Sequence, residues 1–129
     1  MALTYYLKFK RKVEKKKEIS DLIKKNKSNF FLISDLYNTK YGFINGNFNG
    51  TIINIDLGEI SEISLDIIDK EAEPILLRNS ILDIVYTIVN EIYPDEDYYF
   101  DLNGDYIFEK RENGVVKRNN NTNFYNGLD

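Results

Sequence analysis

Five of the chain's seven glycines follow an asparagine, at Asn45-Gly46, Asn49-Gly50, Asn103-Gly104, Asn113-Gly114 and Asn126-Gly127. Both residues accept positive φ, which the tightest hairpin turns demand, so a chain punctuated in this way is built from antiparallel hairpins. The segments between the turns agree. Leu3, Tyr5, Leu7 and Phe9 alternate with Thr4, Tyr6, Lys8 and Lys10, the period of a strand with one buried face. Residues 30–33 are a continuous apolar run of strand length, and residues 35–40 read as a polar turn. Residues 41–44 and 51–57 are β-prone and flank two competing Asn-Gly turns, which predicts a hairpin but leaves its register open. Over residues 59–69, Ile63, Leu65 and Ile67 fit a strand while Ile60, Ile63, Ile67 and Ile68 fit a helix; the β-branched content favours the strand. Residues 98–102, 105–111 and 115–118 form a closing meander. Two-residue turns there put Phe100 opposite Ile107 and Glu109 opposite Arg118, whereas a longer first loop puts Tyr98 opposite Phe108.

Two segments change period. Residues 14–26 set Ile19, Leu22 and Ile23 on one face among lysines, a short solvated helix. Residues 74–93 open with Pro74, repeat Leu77, Ile81, Ile84, Ile88 and Ile92 at three and four, and add Val85 and Val89 to that face. Asn79, Asp83, Thr87, Asn90 and Glu91 line the opposite side, so this helix lies across the sheet, and Pro94 ends it. The expected fold is a single α+β domain over residues 1–118: an antiparallel sheet of about six strands, one long amphipathic helix and a short basic helix. Residues 119–129 are Asn-rich and read as a frayed tail that Phe124, Tyr125 and Leu128 could pin.

A chain of 129 residues with 43% hydrophobic content can build one core unaided. Its longest apolar runs are interrupted by Arg78, Asp83 and Glu91, which argues against a membrane span. There is no Cys, and the first residues lack the layout of a secretory leader, so a cytoplasmic protein is expected.

Charge is divided along the chain. Residues 1–27 carry a balance of +7 and residues 28–129 one of −11; between Asp56 and Glu109 only Lys70 and Arg78 stand among fifteen acids. Such a field attracts a cationic partner and repels nucleic acid. Two acidic strips form the candidate docking surface, Glu59, Glu62, Asp66, Asp69, Glu71 and Glu73 in one and Asp95, Glu96, Asp97 and Asp101 in the other. Tyr93, Tyr98 and Tyr99 are candidate anchors beside them, and could equally be core. Mutual neutralisation of the two halves on one fold explains the same counts. The basic cluster Lys8, Lys10, Arg11, Lys12, Lys15, Lys16 and Lys17 is the competing site, for a phosphate backbone; its lysines outnumber its arginines, and the acidic total makes a nucleic-acid binder the weaker reading.

Chemistry is mostly excluded. Without His or Cys the usual general base, thiolate nucleophile and commonest metal ligands are missing, and no phosphate-binding loop, dinucleotide fingerprint or nucleophile elbow is present. Oxygen-bearing residues from Asp101 to Glu112 have the spacing of a calcium loop, but Tyr106 stands where the sharp turn needs Gly and the flanks are strand-like. The sequence therefore predicts no enzyme and no cofactor, with carboxylate chemistry, such as a paired acid and base or a magnesium site at Asp95, Asp97, Asp101 or Asp105, the alternative left open. It predicts a small binding protein that neutralises a basic partner through its acidic surface, such as an immunity protein or antitoxin covering a nuclease-like toxin. A phage-type inhibitor that mimics nucleic-acid charge would use the same physics.

Overall fold

The computed structural model describes residues 3–26 and 29–128. In chain order the elements are β1 (Thr4–Phe9), α1 (Lys17–Lys25), β2 (Phe31–Ile33), β3 (Tyr37–Phe48), β4 (Thr51–Ile67), α2 (Pro74–Thr87) running into a π-helical turn (Ile88–Ile92), β5 (Tyr98–Leu102), β6 (Tyr106–Glu112) and β7 (Val115–Arg118). It is a mixed α and β fold with seven strands among the described residues, against about six expected. Among the described residues no helix is long and apolar enough to cross a membrane.

The first strand is central, pairing antiparallel with β4 on one edge and β5 on the other. From β5 the ladder passes to β6, from β6 through one parallel bridge at Asn47 and Tyr106 to β3, and from β3 back to β4. The five strands thus return on themselves as a small ring, to which β2 adds on β4 and β7 on β6. Tyr5, Leu7 and Phe9 face α2 and form the main core with Ile63, Leu65, Ile81, Val85 and Ile88. A second cluster of Ile44, Phe48, Tyr99 and Ile107 fills the ring side of the sheet, beneath the tip of the β3–β4 hairpin.

Sharp bending of that hairpin closes the ring. The β3–β4 ladder slips between Thr39 and Phe43, and Gly58 takes φ 68° beside the irregularity. Gly42 is required there, because a Cβ would lie 2.5 Å from Ile60 Cγ1 and 2.7 Å from the Gly58 carbonyl oxygen. These bulges are how a sheet turns a corner. Of the two competing turns, Asn49-Gly50 makes the hairpin, with both residues at positive φ, and Asn45-Gly46 lies within β3.

Several expectations are corrected. Residues 37–40 are strand rather than turn: Tyr37, Asn38 and Thr39 pair with Glu62, Ser61 and Ile60, and their polarity reflects an exposed outer edge. The β5–β6 register matches neither alternative. A three-residue loop and a bulge put Asp101 opposite Ile107 and Phe100 opposite Glu109, leaving Phe108 and Glu109 both turned towards α2. Glu109 opposite Arg118 is observed, through the two-residue Asn113-Gly114 turn. The region from residue 59 is strand, and β4 runs unbroken to Ile67. Glu73 caps α2, its carboxylate accepting from the Ile75 and Leu76 amides. Beyond β7, Asn119 donates to the carbonyls of Asn47 at 3.1 Å and Ile107 at 2.8 Å, and Phe124 stacks on Phe108 at 4.5 Å within the main core.

Candidate functional site

The ring opens at a mouth beside the bend of the β3–β4 hairpin. On the face away from α2, pairing aligns Tyr37, Glu62, Lys8 and Tyr99 in one row and Ser64, Tyr6 and Asp101 in the next. The bend of the β3–β4 hairpin stands over these rows, leaving a cavity of about 350 Å³ lined by Tyr6, Lys8, Tyr37, Tyr41, Phe43 and Glu62. The rim is open: Tyr41, Phe43 and Tyr37 are 86%, 46% and 40% exposed, an aromatic density that a surface does not need for folding. A wider depression of about 490 Å³ over Tyr106 and Phe108 is lined by Asn120, Asn121, Thr122 and Asn123 but by no charged side chain. Small barrels bind at their mouths, where a few polar groups converge inside apolar walls.

Charge at the floor is unequal. Lys8 Nζ lies 3.3 Å from Asp101 Oδ2, with the Lys8 side chain 11% and the Asp101 side chain 2% exposed. Asp101 also accepts from the Gly104 amide at 3.0 Å. Burial nevertheless pushes its carboxyl up to about 6, further than Lys8 and the amide pull it down. Glu62, half-buried, is likewise raised by burial against the opposing pull of Lys8 and the Tyr37 phenol. One ammonium serves two carboxylates, so the floor is short of positive charge. Asp66, one row away on the same face, accepts from Thr4 Oγ1 at 2.5 Å and stands at the exposed margin.

A pH dependence follows. The raised Asp101 pKa means that the folded state holds its proton over a range where the unfolded chain has released it. Stability credited to this group is full below its ordinary value near 3.8 and is lost as pH rises through about 6. We expect the wild type to gain on Asp101→Asn by at most about 2 kcal/mol as pH falls from 7 to 4.5. Parallel thermal scans of the two proteins check this, and a constant difference across the range contradicts it.

Of the acids singled out in the sequence, Glu62, Asp66 and Asp101 converge at the mouth, and the others are dispersed. Glu59 faces Lys12 at 3.9 Å. Asp69 accepts from the Glu71 amide at 3.0 Å and Glu73 is the α2 cap, while Glu71 and Asp95 are exposed in turns. Glu96 binds the Arg11 guanidinium, with Nε at 2.8 Å from Oε1, and Asp97 accepts from the Asn113 and Gly114 amides at 2.7 and 3.1 Å. All three tyrosines are buried. Tyr93 and Tyr98 belong to the main core and Tyr99 to the second cluster. The basic segment is turned on the chain's own acids: besides Lys8, Arg11 and Lys12, Lys10 faces Glu112 at 3.6 Å and Lys15 pairs with Asp35. Asp101 and Glu109 point to opposite sides of the sheet, the first to Lys8 and the second to Tyr86 of α2, so the calcium spacing gathers no ligand set. Among the described residues no group of three or more potential metal ligands occurs.

Sequence reasoning missed Tyr37, Tyr41 and Phe43, and placed Tyr6 only on the outer face of β1. The alternation of β1 already placed Tyr6 and Lys8 together on the face opposite the core, and residues 41–44 read as β-prone; the misread turn over residues 35–40 hid Tyr37 and the full length of the strand that carries it with Tyr41 and Phe43. Comparison with protein-family models, with curated proteins and with solved structures finds no match.

Proposed function

We propose that this chain is a small binding protein that neutralises a basic protein partner, as an immunity protein or antitoxin does when it covers a nuclease-like toxin. The observation that supports this most directly is the mouth itself: an exposed aromatic rim around Glu62, with Asp66 at the exposed margin beside it and the one lining cation, Lys8, already paired with the buried Asp101. Open tyrosines beside the Glu62 carboxylate, whose neighbouring ammonium is paired with Asp101, suit a cationic segment. Rings supply area and cation–π attraction, and the charge steers encounter. Occlusion would follow if that segment is the one with which the partner holds phosphates. Use of residues 8–17 on nucleic acid has less behind it, because six of those cations face carboxylates of the same chain.

The test is a charge reversal that spares the core. Wild type and a Glu62→Lys, Asp66→Lys variant would each be tagged and used for native affinity capture from the protein's own cells at moderate salt. The reading expects a stoichiometric basic protein with the wild type, and a complex weakened by about tenfold or more in the variant. Equal capture by both, or nucleic acid alone with either, would sink it.

A further inference from the structure

The mouth already holds one organic cation, and the way it does so shows what its walls can bind. Lys8 Nζ sits 3.3 Å from Asp101 Oδ2, 3.4 Å from the Phe43 carbonyl oxygen and 5.0 Å from the centroid of the Tyr6 ring. An ammonium is thus satisfied by a carboxylate, a carbonyl and an aromatic face. Beside it on the same row, Glu62 has Lys8 across one ladder and Tyr37 across the other. The ammonium makes its ion pair with Asp101, and Tyr37 brings a neutral phenol, so among the described residues no cation is dedicated to Glu62.

We propose that the mouth contains a second cation seat, made by the Glu62 carboxylate among Tyr37, Tyr41 and Phe43, and that it takes a single arginine side chain of the basic partner. A guanidinium suits the place better than an ammonium. It is planar, can lie against aromatic faces while its donors reach a carboxylate, and gives up its hydration more readily. The cavity of about 350 Å³ leaves room for it without displacing Lys8. The proposal rests on the binding-protein reading only for the source of the arginine; the seat is a property of this chain.

The intact protein would be titrated at fixed ionic strength with ethylguanidinium, ethylammonium and N-ethylurea, and followed by NMR of the backbone amides and tyrosine rings. Ethylurea is planar but uncharged, and ethylammonium is charged but not planar. We expect saturable shifts centred on Glu62, Tyr37 and Phe43 with ethylguanidinium at a dissociation constant on the order of millimolar, weaker binding of ethylammonium, and none of ethylurea. Glu62→Gln should weaken ethylguanidinium by about tenfold, and Tyr37→Leu, at an open rim position, by about threefold. Shifts spread over the surface, an equal response to ethylurea, or an unchanged affinity in Glu62→Gln would overturn the seat. The two readings fail separately. If ethylguanidinium binds as described while charge reversal leaves partner capture untouched, the seat stands and the neutraliser reading falls; if capture depends on Glu62 and Asp66 but no guanidinium binds, the seat falls alone.

Discussion

Replacing Arg111 with alanine is expected to remove about 4 kcal/mol of stability, the larger part of what a domain of this size commands. Arg111 is 5% exposed and has no carboxylate partner among the described residues; its guanidinium donates to the carbonyls of Val89 at 3.0 Å, Tyr93 at 2.9 Å and Glu96 at 2.9 Å and lies 4.9 Å from the Tyr98 ring centroid. Two of those carbonyls belong to the end of α2 and its π-helical turn, where the aligned peptide dipoles concentrate negative charge. A helix that widens into a π turn leaves acceptors that its own amides do not reach, and one arginine from the neighbouring strand answers them. Alanine leaves the buried Val89 carbonyl and the part-buried Glu96 carbonyl without this donor, at roughly 1–3 kcal/mol each, weakens the Tyr93 carbonyl to its one bond from the Glu96 amide, and adds a void. Arg111→Lys should recover only part of the loss, since a point donor does not span three acceptors. Urea unfolding of the three proteins measures this; a loss under about 1 kcal/mol in the alanine variant would mean that the interaction is incidental.

Glu109→Leu should cost about 3 kcal/mol, for a related reason with the polarity reversed. This fully buried carboxylate accepts from the phenols of Tyr98 at 2.5 Å, Tyr86 at 2.8 Å and Tyr125 at 3.1 Å, and from Arg118 Nε at 3.3 Å. Burial, the Glu109 charge and its hydrogen bond push the Tyr86 phenol up to about 12 and carry Tyr98 and Tyr125 in the same direction, so all three keep their protons and donate at neutral pH. The cluster ties α2, β5, β6, β7 and the segment after β7 together at one point. Removing the acceptor strands the Tyr98 hydroxyl in the core. Tyr98→Phe in the Glu109→Leu background should therefore be far milder than in the wild type, with a coupling of about 1–2 kcal/mol in the double-mutant cycle. Additive losses would show that the hydroxyl finds water instead.

Neither device could be read from the sequence, although the elements that carry them could. The alternation of Leu3 to Phe9, the repeat from Leu77 to Ile92 and the Asn-Gly turns locate β1, α2 and the final meander, because each is a local pattern with a local cause. What failed was non-local. The bulge at Phe108 shifts the β5–β6 register and turns Glu109 towards α2, and only packing against the helix decides that. The charge division was plain as a count; its resolution into Lys8 with Asp101 or Arg11 with Glu96 depends on which strands lie side by side. For the same reason the candidate site was legible only in Glu62, Asp66 and Asp101. The ring that assembles them with Tyr37, Tyr41 and Phe43 closes through bulges and through Gly42, whose neighbours in sequence give no sign that Ile60 presses against it.

The central position of β1 bears on how the chain must fold. Thr4 pairs with Asp66 and Tyr5 with Leu102, so the strand at the heart of the sheet waits for partners roughly sixty and a hundred residues downstream. The β3–β4 hairpin can zip within microseconds, but ring closure carries a large loop entropy, which points to folding over milliseconds to seconds. On the ribosome, Leu7 and Phe9 emerge early and stay without their ladder until nearly the whole domain has been made. The lysines that accompany them, bound to carboxylates at the end, then act as kinetic guards, keeping a nascent apolar strand from premature association.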